Sequence, residues 1–220
     1  MTLEIKKRIL TSLFLLLLLA FMYAYSFILI ISLIIIGIIV WIEFYALISK
    51  IFLNDNVKSR IIRFIFKSVS LIYISSLVYF IIISVAQNTD VKLQIFYAIS
   101  ISVSSDIGGL IIGKLLKGRK LTKISPKKTI SGSFGSFIFS MLLVPFFINI
   151  FYNHGLFSLI FITIIVSLIS QVGDLFISFL KRKSKVKDTS DLLPGHGGFL
   201  DRVDGIIFTI PTCPLLFNIF

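Results

Sequence analysis

The chain is 220 residues long, 57% hydrophobic and only 15% charged, with a mean hydropathy of +1.03. Soluble domains carry about a quarter of charged residues, so this composition excludes a water-soluble globule and makes lipid the chain's main solvent. The 22 Lys and Arg against 10 Asp and Glu give a net charge of +12, which in such a chain reads as cytoplasmic loops rather than as a nucleic-acid surface.

The opening stretch, "MTLEIKKRILTSLFLLLLLAF", has the basic start and apolar core of a signal peptide. Apolar sequence continues to about Ile48, so a retained first span is expected instead. Residues 9–48 fit two short spans joined by a tight turn near Tyr23 to Ser26. Further spans fit residues 65–86, 93–113, 133–152, 156–180 and 201–220. The expectation is an all-α, polytopic transmembrane helical bundle of about seven spans. It would comprise N-terminal transmembrane helices over 1–92 and a C-terminal transmembrane region over 93–220, with loops at 114–132 and 181–200. No internal repeat is visible. Cys213 is the one cysteine; it excludes an intrachain disulfide and reads as a packed apolar residue.

The cations orient these spans. They cluster before the first span, between the second and third, between the fourth and fifth, and between the sixth and seventh, with Arg202 just after. Of the 22 Lys and Arg, only Lys92 falls in an opposite-side loop. The positive-inside rule then puts the N-terminus and the three basic loops in the cytoplasm, and a seven-span chain ends outside.

Ionisable groups inside or at the edge of a span are costly and by default functional. Asp106 lies roughly 12 Å of helix rise before Lys114, and Asp174 roughly 10 Å before Lys181. Both belong to the cytoplasmic halves of their spans, and Asp201 and Asp204 open the last span on that side. Gln171, Asp174, Ser178, Lys181 and Arg182 recur at helical spacing as one stripe. Asp106, Gly109, Gly113 and Lys117 form another, whose glycines admit a second backbone beside the carboxylate. The competing reading is that Asp–Lys pairs staple spans together.

Carboxylates near cation-rich loops suggest a hard divalent metal. Mg²⁺ takes one or two protein carboxylates and completes its shell with water and phosphate oxygens. "SPKKT", Ser125 to Thr129, offers two lysines and two hydroxyls beside a stiffening proline. "PGHGG", Pro194 to Gly198, offers glycines that bring backbone N–H groups close to an anion, just before a helix start. His196, between those glycines and next to "DRVD", is placed with the site. His154, in a short outer turn, reads as structural. Glu43, near the inner end of the second span, is expected to pair with Lys50 or another basic-loop cation.

Residues 178–204, "SFLKRKSKVKDTSDLLPGHGGFLDRVD", closely resemble the signature of the phosphatidate cytidylyltransferases, also called CDP-diglyceride synthases. The matching elements are Ser178, Lys181-Arg182, Lys187-Asp188, Pro194 with His196-Gly197-Gly198, and Asp201-Arg202 with Asp204. "SSDIGG", "SPKKT" and "QVGDLFIS" resemble family segments in the same order. Two departures stand out. Ser131-Gly132 occupies the place of the family's Glu-Gly, and the first half of the chain is compressed.

The resemblance implies a nucleotidyltransferase of phospholipid biosynthesis. It would join CTP and phosphatidate into CDP-diacylglycerol and pyrophosphate with Mg²⁺, in the lipid bilayer of a bacterial inner membrane. It needs no nucleic acid, and it allows a homodimer through the early spans. Implied roles follow. Asp174 and Asp201 hold the metal, Lys181, Arg182 and Arg202 bind phosphates, and Lys127 and Lys128 hold the triphosphate. Asp106, Ser125, Ser178, Lys187, Asp188, His196, Gly197, Gly198 and Asp204 complete substrate binding. No general base is needed, because a phosphate monoester is already largely ionised at neutral pH. A CTP-dependent polyprenol or phytol kinase is the nearest alternative, and an ion-coupled transporter a more distant one.

Overall fold

A computed structural model describes residues 3–53, 56–87, 89–122, 124–195 and 197–220. Among them all regular elements are α-helical: α1 (Leu3–Ala24), α2 (Ser26–Ile51), α3 (Val57–Gln87), α4 (Thr89–Leu116), α5 (Ile130–Met141), α6 (Val144–Phe147), α7 (Leu156–Lys183), α8 (Leu200–Val203) and α9 (Ile206–Ile219). The turn expected near Tyr23 to Ser26 is a break of one residue, Tyr25, whose extended backbone separates α1 from α2.

Five stretches are long and apolar enough to cross a membrane: Ser26–Ile51, Val57–Ala86, Asp90–Leu116, Ile130–Phe147 and Leu156–Lys183. The chain is therefore an all-α, polytopic membrane protein. The first and last expected spans are shorter. The apolar part of α1 is Ile9–Ala24. Residues 201–220 do not form one helix, because the chain turns at Asp204 and Gly205 between α8 and α9. The 14 residues of α9 rise about 21 Å, short of a hydrocarbon core of about 30 Å. Its two prolines, Pro211 and Pro214, remove helix hydrogen bonds.

The helices group into two compact units: Met1–Ile82 with Leu180–Val203, and Ile83–Phe179 with Asp204–Phe220. Most of the signature segment, Leu180–Val203, therefore groups with the N-terminal helices, while Ser178 and Asp204 belong to the second unit.

In the first unit, α2 buries Leu29, Ser32, Gly37, Val40, Glu43, Leu47 and Ile48, a stripe at helical spacing. Gly37 admits α3: a Cβ there would stand 3.0 Å from Val78. Lys67 lies 3.3 Å from the centroid of the Tyr45 ring, a contact that keeps the cation against α2. Much of α1, α2 and α3 is exposed and apolar, for example Phe14, Phe27 and Phe64, as lipid requires.

In the second unit the core is Tyr97, Ile101, Val144, Phe151, Leu159, Ile162, Val166, Cys213 and Phe217, so Cys213 is the packed residue expected. His154 is structural as well, its ring edge-on to Phe217. Glycines press α4 against α5. A Cβ on Gly108 would meet the carbonyl oxygen of Gly135 at 2.4 Å, and one on Gly135 would meet that of Gly108 at 2.7 Å. Buried hydroxyls supply the polar glue that helices use in lipid: Ser136 donates to Ser105 O at 2.7 Å, and Ser102 and Thr209 share a bond of 3.1 Å.

Candidate active site

In the second unit the site begins with close backbone packing. A Cβ on Gly109 would lie 2.8 Å from Ser136 Oγ, and one on Gly113 3.0 Å from Thr129 Oγ1. The glycine stripe that follows Asp106 thus admits α5, as its spacing predicts. On α7, a Cβ on Gly173 would stand 2.5 Å from Phe208, 3.0 Å from Asp204 O and 3.2 Å from Gly205 Cα. Gly173 therefore lets the chain at Asp204 pass directly beside the next residue of α7, Asp174.

Asp174 is ion-paired with Lys128 and accepts from Ser178 Oγ at 3.3 Å. One turn earlier, Gln171 Oε1 accepts from Ser133 Oγ at 2.5 Å. Asp204, 9% exposed, is hydrogen-bonded to the Asp174 carboxylate. Burial above all, then the charge and hydrogen bond of Asp174 and, to a lesser degree, the charge of Asp106, push its pKa up to about 8. The Gly205 N–H, 2.9 Å from Asp204 Oδ1, offsets this only in part. Asp106 is exposed on α4.

The loop before α5 carries "SPKKT". Leu121 N donates to Lys128 O at 2.8 Å, Ile130 N to Arg119 O at 2.9 Å, and Lys128 N to Ser125 O at 3.0 Å. These bonds pair residues 119–121 with residues 128–130. Thr129 caps α5 by accepting from Gly132 N at 3.0 Å. Lys128 is thereby directed at Asp174 while Lys127 stays exposed. Ser131, at the family's Glu position, shares a bond of 3.1 Å with Thr129 Oγ1.

In the first unit the signature loop folds around two carboxylates. Lys181 Nζ donates to Asp201 Oδ1 at 2.6 Å. Asp201 Oδ2 accepts from Thr189 N at 2.8 Å, Thr189 Oγ1 at 3.1 Å and Gly198 N at 3.1 Å. Burial pushes the Asp201 pKa up. The Lys181 hydrogen bond and charge and the N–H groups of Thr189 and Gly198 outweigh it and hold the carboxyl below its ordinary value. Leu193 N donates to Gly197 O at 2.8 Å, closing a turn that needs the positive φ of Gly195 (77°) and Gly197 (81°).

The second carboxylate is Glu43, 5% exposed on α2. It accepts from Thr189 Oγ1 (2.8 Å), Ser190 Oγ (2.5 Å), Phe199 N (3.0 Å) and Leu200 N (2.7 Å). The pairing expected with a basic-loop cation is replaced by donors more than 140 residues away in sequence. The anions that the N–H groups of Gly198, Phe199 and Leu200 meet are the protein's own.

Among the other expected site residues, Arg182, Lys187, Asp188 and Arg202 are exposed in the first unit, and Ser125 is half-buried in the second. His196 lies outside the described residues. Among the described residues, no three His, Cys, Asp or Glu side chains form a metal-holding group by themselves. Sequence reasoning missed Glu43 as part of the site. The available signal was a lone acidic residue inside an apolar run of α2, which its position alone flags.

These features bear directly on kinship. Residues 2–220 match the profile of the Cytidylyltransferase family. A phosphatidate cytidylyltransferase of Staphylococcus saprophyticus is 43% identical over 125 residues, which are 56% of this chain and 48% of that protein. One from Bacillus subtilis is 40% identical over 132 residues, 57% of this chain and 48% of the relative. One from Rickettsia typhi is 40% identical over 139 residues, 60% of each. The chain spans about half the length of the curated relatives it matches. A family match that takes in all but the first residue of the sequence, including both lysine–carboxylate pairs, means that this chain belongs to the Cytidylyltransferase family.

Proposed function

We propose that the chain joins CTP to phosphatidate, releasing pyrophosphate and leaving CDP-diacylglycerol in the membrane. The observation that carries this reading is that the segments resembling the family signature fold into lysine–carboxylate pairs: Lys128 with Asp174, and Lys181 with Asp201. A lysine on a carboxylate holds the place of both reactants' partners. At Asp174, exchange frees the Lys128 ammonium for a phosphate oxygen and the carboxylate for a cation.

Two polyanions must meet in this reaction, so positive charge lowers the barrier. Lys127 and Lys128 hold the triphosphate. Lys181, Arg182 and Arg202 hold the phosphatidate headgroup, where a guanidinium binds two oxygens at once. The headgroup oxygen, already ionised, attacks the α-phosphorus in line with the departing pyrophosphate. Asp188 and His196 are positioners rather than bases.

Asp174 and Asp204 fit Mg²⁺. Within their unit, the charges of Asp174 and Asp106 both disfavour ionisation of Asp204, and one lysine is paired with Asp174. Mg²⁺ needs only one or two protein carboxylates. When bound it would neutralise phosphate oxygens. Asp201 is the other ligand that the resemblance implies. Its oxygens accept from Lys181, Thr189 and Gly198, so we assign it first to holding the loop.

The cation distribution supports a cytoplasmic N-terminus and cytoplasmic catalytic loops in a bacterial inner membrane. A seven-span arrangement would need α1 and the short α9 to cross as well as the five long helices. The deciding experiment is the purified chain in detergent with labelled CTP, phosphatidate and Mg²⁺. CDP-lipid with pyrophosphate is expected. A phosphorylated lipid with CDP would make it a lipid kinase, and no transfer to lipid would overturn the reading.

A further inference from the structure

Glu43 sits on a membrane helix, yet its carboxylate belongs structurally to the signature loop. Its four donors come from both ends of that loop, Thr189 and Ser190 on one side and Phe199 and Leu200 on the other. Between them the chain runs out and returns, and at the far turn Thr11 Oγ1 of α1 donates to Pro194 O at 3.1 Å. The loop is thus a ring closed on one anion.

The ring also holds Asp201. Thr189 Oγ1 is shared between Glu43 Oε2 at 2.8 Å and Asp201 Oδ2 at 3.1 Å. The two backbone N–H groups on Asp201, from Thr189 and Gly198, adjoin the groups that Glu43 holds. Gly198 makes this possible. A Cβ there would stand 1.8 Å from Thr189 Oγ1 and 2.7 and 2.9 Å from the two Glu43 oxygens. Any side chain would push the ring off Glu43.

We propose that Glu43 is a positioning residue: it closes the signature loop so that Asp201 and, through it, Lys181 are held in working register. The physical basis is acceptor count. A carboxylate offers about four lone-pair sites and no donor, which matches the four donors facing it. A buried carboxylate stripped of such donors costs several kcal/mol, so ring and anion hold each other. Glu43→Gln keeps the size but turns one oxygen into an N–H₂ group, which then faces donors instead of accepting from them.

The role in catalysis rests on the function proposed above, so the test has one arm that needs no turnover. Hydrogen exchange is measured on the full chain in detergent, comparing wild type with Glu43→Gln and with the milder Thr189→Val. In both variants the amides over 189–201 should exchange about 10- to 100-fold faster, the loss of one or two hydrogen bonds to a charged group. Exchange in α4, α5 and α9 should stay as in wild type. If Glu43→Gln does not fold, Thr189→Val decides alone. Unchanged loop exchange in Thr189→Val, or loss of protection spread equally over both units, would overturn the proposal.

The second arm is kinetic. The folded variant should lose about 10-fold or more in kcat with KM for CTP within about 2-fold, because the lysines assigned to CTP are in the other unit. A raised KM for CTP at unchanged kcat would also overturn it. If wild type itself makes no CDP-lipid, the proposed reaction fails, and the exchange arm still decides whether Glu43 holds the loop.

Discussion

The two units treat their carboxylates in opposite ways. In the first, Asp201 and Glu43 are filled: Lys181, four backbone N–H groups, the Ser190 hydroxyl and the Thr189 hydroxyl shared between the two carboxylates leave little for a further cation to gain. The Asp201 pKa is held below its ordinary value despite burial. In the second, Asp174 and Asp204 share a hydrogen bond with Asp106 in electrostatic range, and Asp204 is driven up to about 8. Filled carboxylates fix structure, because removing any donor leaves a buried charge uncompensated. Crowded carboxylates invite a cation, because neighbouring like charges are relieved by one. The same residue type, three positions apart in sequence, is thus filled at Asp201 and crowded at Asp204.

The sharpest way to break this contrast is Asp174→Asn. It keeps size and removes charge, so kcat should fall about 10²-fold or more, the loss expected for one electrostatic stabiliser. Folded protein recovered from the membrane should be unchanged. Mg²⁺ should raise the melting temperature of the wild type in detergent and leave that of the variant unchanged. A variant with near-normal kcat and an intact Mg²⁺ shift would remove Asp174 from the metal.

Asp201→Asn should show the opposite balance. It leaves Lys181 without its carboxylate in a site where the two side chains are 14% and 6% exposed. Stability should drop by about 2–3 kcal/mol, the scale of a hydrogen bond to a charged group, seen as a lower melting temperature with or without Mg²⁺. Asp201→Asn with wild-type stability but no Mg²⁺ shift would make Asp201 a ligand rather than a latch.

Much of this was legible beforehand, for reasons that particular residues show. Helical periodicity put Asp174, Ser178 and Gln171 on one stripe, and two of its members do meet: Ser178 donates to Asp174. Gly109 and Gly113 announced a close backbone, and α5 is there. Lys128 is on Asp174 and Lys181 on Asp201, contacts that the staple reading allows. Helix spacing could not show Glu43's partners, because contacts 146 to 157 residues apart leave no periodic trace. Nor could hydropathy show that Asp204 and Gly205 interrupt the last apolar stretch. A window average ignores the local chain turn that lets Asp204 reach Asp174.

The packing that brings α4 to α5 can be tested apart from the charges. Gly108→Ala places a methyl 2.4 Å from Gly135 O and 2.5 Å from Phe139 Cβ, and neither backbone nor a Cβ can swing away. Such overpacking costs about 1–3 kcal/mol. Melting temperature should fall, and kcat at a temperature where the protein is folded should fall less than in Asp174→Asn. Equal melting temperatures would mean that the two backbones are farther apart than the glycines imply.

The smallest effect separates two adjacent lysines. Lys128 is ion-paired with Asp174 and partly shielded, whereas Lys127 is exposed on the same loop. An exposed cation acts on a phosphate through water and salt, so its contact is worth up to about 1 kcal/mol, and Lys127→Gln should raise KM for CTP by about 2- to 5-fold. Added salt should produce a similar rise in wild type and little further change in the variant, because screening removes the same contribution. Lys128→Gln should raise KM for CTP more. It should also be less than additive with Asp174→Asn, since paired residues are coupled. Steady-state kinetics in mixed micelles, with phosphatidate saturating and ionic strength stepped, read all three. Equal effects of the two lysines, with full additivity of Lys128→Gln and Asp174→Asn, would mean that the Lys128–Asp174 pair has no part in holding CTP.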